Sequence, residues 1–114
     1  MTDEDPVETN PDHYSVIFEN EHVRVLDYSD RPGERTMPHV HPNSVMVTLT
    51  DFRRRLTTPA GSRTVEMPAA RAVWLPAQRH DGENIGETPT HTVFVELKGS
   101  AAGVVDETVV GPQS

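Results

Sequence analysis

Two histidines one residue apart, His39 and His41, are the first candidates for chemistry in this chain. They lie in the stretch Gly33-Glu34-Arg35-Thr36-Met37-Pro38-His39-Val40-His41-Pro42. On an extended strand, residues i and i+2 point to the same face, so both imidazoles would aim at one point. Two converging neutral imidazoles are half of a transition-metal site. The same pair is also compatible with ordinary hydrogen-bonded side chains, and a third ligand would decide. A second cluster, Leu75-Pro76-Ala77-Gln78-Arg79-His80-Asp81-Gly82-Glu83-Asn84, offers His80. It reads as a loop residue held just after an apolar strand, a common functional position. Asp81 and Glu83 flank it and are candidate bases, although Asp in a Gly-containing turn has a backbone reason to be there. His91 shares strand parity with Val93, Val95 and Leu97, which predicts an inward imidazole: a fourth ligand, a proton shuttle, or a satisfied core residue. His13 and His22 read as surface side chains.

Composition narrows the ligand types. The 114 residues contain no cysteine, so disulfides, cysteine–zinc knuckles and thiol nucleophiles are excluded. Any metal must be held by His, Asp or Glu. The length fits one small domain. A net charge of −8 argues against nucleic acid and anionic membranes as partners. No apolar run approaches a membrane span, and the acidic start Met1-Thr2-Asp3-Glu4-Asp5 is unlike a signal peptide. The default expectation is a cytoplasmic protein.

The elements that must position these residues are strands. Residues 1–12 read as a flexible acidic arm interrupted by Pro6 and Pro11. Runs rich in β-branched and aromatic residues follow at 14–18, 22–28, 44–50, 52–58, 63–67, 72–75 and 90–97, separated by turn residues. The His39/His41 segment adds a further extended piece. Residues 76–90, rich in Pro, Gly, Asp and Asn, read as a long loop or irregular ribbon. The tail 99–114 has no clear core, and Gly103-Val104-Val105 and Thr108-Val109-Val110 are candidate edge strands. No segment shows a sustained helical period, so the pattern predicts an all-β sandwich or barrel over residues 13–98. Trp74, Met37 and Met46 read as core or pocket lining, and Arg53-Arg54-Arg55 as a solvated strand face from which one guanidinium could meet an anion.

The two clusters resemble the two motifs of the cupin family. Gly33, five residues and His39-Val40-His41 match the start of motif one. Ala70, Pro76, His80 and Asn84 stand at the glycine, proline, histidine and asparagine of motif two, with one residue fewer between Pro76 and His80. Together the likeness spans about residues 14–98. Motif one's Glu is missing: three-residue spacing places it at Val45, four-residue spacing at Met46. Val45 is preferred, because it sets Val45, Val47 and Leu49 on one face; the closing glycine then falls at Phe52.

The resemblance implies a cupin-type double-stranded β-helix, a jelly-roll barrel, with a metal site of His39, His41 and His80 and Asn84 in support. Without the usual carboxylate, three neutral imidazoles leave a divalent cation uncompensated, which favours an anionic or chelating dicarbonyl ligand. Nitrogen donors suit Fe, Ni, Zn or Cu rather than Mg or Ca. Imidazole protonation should weaken metal binding as pH falls through about 6. The function implied is a metal-dependent enzyme on a small organic substrate, with a dioxygenase-like oxidoreductase as the leading class. The alternatives are a metal-dependent lyase or isomerase and a non-catalytic small-ligand binding or sensor barrel. His91 and Glu83 are the candidate catalytic residues. The partners implied are a small-molecule substrate and a second copy in a homodimer.

Overall fold

A computed structural model describes residues 4–113. The β-rich runs form two facing antiparallel sheets, the all-β jelly-roll barrel expected. The strands are β1 (Tyr14–Glu19), β2 (Val23–Asp30), β3 (His39–His41), β4 (Ser44–Thr48), β5 (Phe52–Thr58), β6 (Gly61–Met67), β7 (Ala72–Leu75), β8 (Gln78–Asn84) and β9 (Thr90–Leu97). One sheet runs β1-β2-β9-β4-β7 and the other β3-β8-β5-β6. Tyr14, Leu26, Met46, Phe52, Leu75 and Phe94 close the core between them. Burying such side chains contributes roughly 1.5–3 kcal/mol each. No helix among the described residues is long and apolar enough to cross a membrane.

Three expectations change. Residues 76–90 are not mainly loop, because Gln78–Asn84 form β8, with alternate residues Gln78, His80, Gly82 and Asn84 buried. Their loop-like composition reflects polar inward positions that find partners inside the barrel. Asn84 Nδ2, for example, donates to Asp30 Oδ1 (3.0 Å) and to the Thr88 carbonyl (2.9 Å). The tail forms no strand at 103–105 or 108–110; it has a 3₁₀ turn at Gly99–Ala102 and one bridge between Gln113 and Trp74. Residues 4–12, expected as part of a flexible arm, pack on the barrel, while residues 1–3 lie outside the described residues. Asp5 caps a short helix α1 (Pro6–Thr9), accepting from the Val7 N–H at 2.9 Å, and Pro6 and Asn10 are buried.

The face assignments also reverse. In β4 the buried set is Ser44, Met46 and Thr48, leaving Val45 and Val47 half-buried on the outer face. In β9 it is Thr90, Thr92, Phe94 and Glu96. Hydrophobic alternation assigns the aliphatic set to the interior, but these strands send Ser44, Thr48, Thr90, Thr92 and Glu96 inward beside Met46 and Phe94, and the outer sheet face carries the valines. Register then stacks Tyr14, Tyr28, Thr92 and Thr48 in one inner row across β1, β2, β9 and β4.

Candidate metal centre

The three histidines meet because of strand register. His39 and His41 alternate onto the inner face of β3, and β3 pairs with β8 so that His39 lies opposite His80. Ring centroids are 4.9 Å (His39–His41), 4.8 Å (His39–His80) and 5.1 Å (His41–His80) apart. One ligand nitrogen from each lies within 4.8 Å of the others, and all three residues are buried. His80 is therefore a strand residue facing the β3 pair rather than a loop residue.

Each ring is oriented by its Nδ1. His39 Nδ1 donates to the Met37 carbonyl (2.7 Å), a group that can only accept. Asn10 holds that peptide, taking the Met37 N–H on Oδ1 (2.7 Å) and donating Nδ2 to its carbonyl (3.1 Å). His41 Nδ1 donates to Glu96 Oε2 (2.9 Å). His80 Nδ1 donates to Gln78 Oε1 (2.8 Å), which must be the carbonyl oxygen because the Gly111 N–H also donates to it at 2.8 Å. With Nδ1 protonated in all three, each Nε2 carries a lone pair. Such outer partners set the tautomer of metal-binding histidines.

The lone pairs are under-supplied with protons. The Tyr14 hydroxyl lies 3.2 Å from both His39 Nε2 and His41 Nε2, yet has one proton to donate. Three inward acceptors therefore share one donor, a donor set that fits a cation. The buried Glu96 carboxylate adds charge just behind it, and Arg24 Nε donates to its other oxygen (2.9 Å). Arg24 Nη1 in turn pairs with Asp5 Oδ2 (2.8 Å). A carboxylate thus stands one hydrogen bond from the histidines, although none occupies the motif-one Glu position. Met46 rather than Val45 faces the barrel interior, and it lines the same cavity as His39 and His80.

Burial pushes the His39 imidazole down to about 3 from its ordinary 6.5, with the neighbouring His41 adding to the effect. Burial, then His39 and His41, hold His80 well below its ordinary value. Both are therefore neutral near pH 7. In the unfolded chain these groups protonate near 6.5, while the folded protein refuses the proton. Their stabilisation is complete above that value and is lost as pH falls toward about 3. Melting of metal-free protein should therefore drop steadily on acidification through this window. A melting temperature constant down to about pH 4 would contradict neutral burial.

The cavity beside the cluster has a volume of about 40 Å³. That is room for a few waters. Its lining includes His39, His80, Tyr14, Met46, Phe94 and Arg54. Arg54 is the inward member of the arginine run; Arg53 and Arg55 face outward to Glu66 (3.1 Å) and Glu83 (3.7 Å).

The structure does not bring His91 or Glu83 to the cluster. His91 lies on the outer face of β9, with Nε2 2.7 Å from Asp27 Oδ1, because the parity of β9 is opposite to that expected. Glu83 lies on the outer face of β8 beside Arg55. His13 and His22 are also away from the site: His13 Nδ1 bonds the Ser29 carbonyl (2.9 Å), and His22 is exposed. Tyr14, Glu96 and Gln78 were missed by sequence reasoning. Only Glu96 left a trace, as a lone charge in an apolar run. Ala70, which stands at a motif glycine, adopts a left-handed conformation with φ 63°, the geometry glycine tolerates best.

No protein-family model matches the sequence, and no curated protein matches it. Solved structures do. A cupin domain from Bordetella pertussis Tohama I is 30% identical, with a TM-score of 0.71, 75% of this chain covered and 92% of that one. A conserved protein with a double-stranded β-helix domain from Klebsiella pneumoniae is 23% identical (TM-score 0.62), with 77% of each chain covered. The polyketide cyclase RemF from Streptomyces resistomycificus shares the fold at 15% identity and a TM-score of 0.57, covering 87% of this chain and 68% of that one. Identity and coverage of the first of these, together with the shared barrel, show that the chain belongs to the cupin family.

Proposed function

We propose that His39, His41 and His80 hold one divalent transition metal and that the protein is an oxygenase acting on a small, oxygen-bearing organic substrate. The observation that carries this reading is the set of three inward Nε2 lone pairs sharing one hydroxyl proton. When bound, the metal would supply Lewis acidity and, if iron, a redox partner for dioxygen. The chain's own residues do the rest. Met37, Glu96 and Gln78 hold the rings in register through Nδ1. Tyr14, whose phenol burial pushes well above its ordinary value, stays protonated and can donate to an oxygen at the cluster. Phe94 stacks on His41 at 4.8 Å and, with Met46, keeps bulk water out.

The lining favours oxygen chemistry over proton shuffling. Among the described residues, no carboxylate and no imidazole other than those of the cluster lines the cavity. A lyase or isomerase needs a base within hydrogen-bond reach of the substrate. Dioxygenation needs none to begin, and both oxygen atoms can end in the product without a further reductant.

Elemental analysis of protein purified without added metal, followed by oxygen-electrode assays with small diketones, 2-oxo acids and thiols, tests the proposal. Near-stoichiometric metal and metal-dependent oxygen uptake are expected. Substrate turnover at the same rate without oxygen would instead establish a lyase or isomerase, and a metal-free protein with unchanged ligand binding would establish a binding module.

A further inference from the structure

Of the three groups that orient the imidazoles, one carries a charge. His39 Nδ1 meets the Met37 carbonyl and His80 Nδ1 the Gln78 side-chain carbonyl, and both acceptors are neutral. His41 Nδ1 meets the Glu96 carboxylate. Glu96 is 2% exposed, a costly placement for a carboxylate unless both oxygens are paired. Both are. Oε2 accepts from His41, and Oε1 faces Arg24 Nε (2.9 Å) and Nη2 (2.8 Å). Arg24 is held in turn by Asp5, through Nη1 (2.8 Å) and Nη2 (3.2 Å). Arg24 and Glu96 are direct cross-strand partners on β2 and β9, so register alone brings them together. The further contact to His41, on the opposite sheet, ties the pair to the cluster.

Charge gives this contact a consequence that the other two lack. Asp5 matches Arg24, so the chain of Glu96, Arg24 and Asp5 keeps one net negative charge, and Glu96 places it against His41. A carboxylate that accepts from Nδ1–H makes the ring a stronger donor at Nε2. In a buried, low-dielectric site a unit charge also acts beyond its contact distance. The geometry assigns Glu96 a positioning role through His41: it supplies from behind the ring the negative charge that a motif-one Glu would bring as a direct ligand. His41 is thereby the strongest donor of the three. The assignment rests on the proposed metal-dependent function and deepens it. Three imidazoles with this backing favour ferric over ferrous iron more than three neutrally backed imidazoles would, while the cavity side of the cluster stays free of a protein carboxylate.

Two variants break the same ion pair from opposite sides. Zinc affinity is read by competition with a chelator, and the ferric/ferrous midpoint potential by anaerobic spectroelectrochemistry of iron-loaded protein. Glu96→Gln keeps the size and an acceptor oxygen but removes the charge. It should weaken zinc about 10–100-fold and weaken ferric iron at least about tenfold more than ferrous, a rise of about 59 mV in midpoint potential. Arg24→Gln leaves the carboxylate less compensated. It should lower the potential and bind zinc no more weakly than the parent. A salt bridge that serves stability alone predicts the same direction of change in both variants. An unchanged potential in Glu96→Gln, or shifts of the same sign in the two, would overturn the assignment. Circular dichroism monitors folding. Should Glu96→Gln fail to fold, Arg24→Gln decides by itself, and a potential that does not fall overturns the assignment. Failure of the parent to bind zinc and iron would overturn the metal-dependent reading itself, a result distinct from a metal-loaded parent whose variants show no shift.

Discussion

His39→Ala, His41→Ala and His80→Ala are each expected to lose stoichiometric metal, with affinity falling more than about 100-fold. Changing an outer partner of a ligand already costs about 10–100-fold, and these changes remove a donor outright. Each ring supplies one of three converging nitrogens, and among the described residues no other imidazole or carboxylate lines the cavity to replace it. The three variants should differ in what else they disturb. His41→Ala leaves Glu96 with Arg24 as its remaining partner, His80→Ala frees Gln78 Oε1 to the Gly111 N–H alone, and His39→Ala leaves the Met37 peptide still held by Asn10. Metal content by mass spectrometry, with circular dichroism to verify folding, reads the effect. His13→Ala and His22→Ala are the controls, because those side chains sit at the surface. Full occupancy in any of the three folded variants would remove that residue from the ligand set.

Met46→Glu is expected to destabilise the metal-free protein by about 3 kcal/mol or more and to regain stability when metal is supplied. Met46 is 6% exposed and lines the cavity with His39, His80 and Tyr14. A carboxylate there is buried without a partner in the metal-free state. With Zn²⁺ or Ni²⁺ it can become the oxygen ligand that this chain lacks at the corresponding motif position. Val45→Glu should stay within about 1 kcal/mol of the parent and show no rescue. Its side chain is on the outer sheet face, between Val95 and Trp74 in register. Thermal melting of all three proteins with and without metal makes the comparison. Rescue in Val45→Glu but not in Met46→Glu would mean that the strand faces the other way.

How legible the site was depends on which physical rule each residue obeyed. The i, i+2 geometry of a strand is local, so His39 and His41 were readable as a pair from their spacing. The spacing of the two motifs added His80, and turn chemistry between β-rich runs was enough for an all-β barrel. Face assignment was not local. Aliphatic alternation is a guide to the interior only where the interior is apolar, and here Thr90, Thr92 and Glu96 point inward while Val93 and Val95 point outward. That reversal misplaced His91 and selected Val45 over Met46. β8 was unreadable for a related reason: Gln78, Gly82 and Asn84 resemble loop residues until the groups they bond to are known.

The sequence by itself determined the strand-rich barrel, the absence of thiol ligands and the His39/His41 pair, because composition and short-range spacing carry that information, and the resemblance to the cupin motifs added His80. Tertiary structure alone decided their surroundings. The pairing of β3 with β8 set His39 opposite His80, and β9 delivered Glu96 to His41 across 55 residues of chain. The same register placed the Tyr14 hydroxyl beside two imidazoles. These contacts depend on which strands become neighbours, and a strand's neighbours are chosen by the packing of the whole barrel rather than by its own residues.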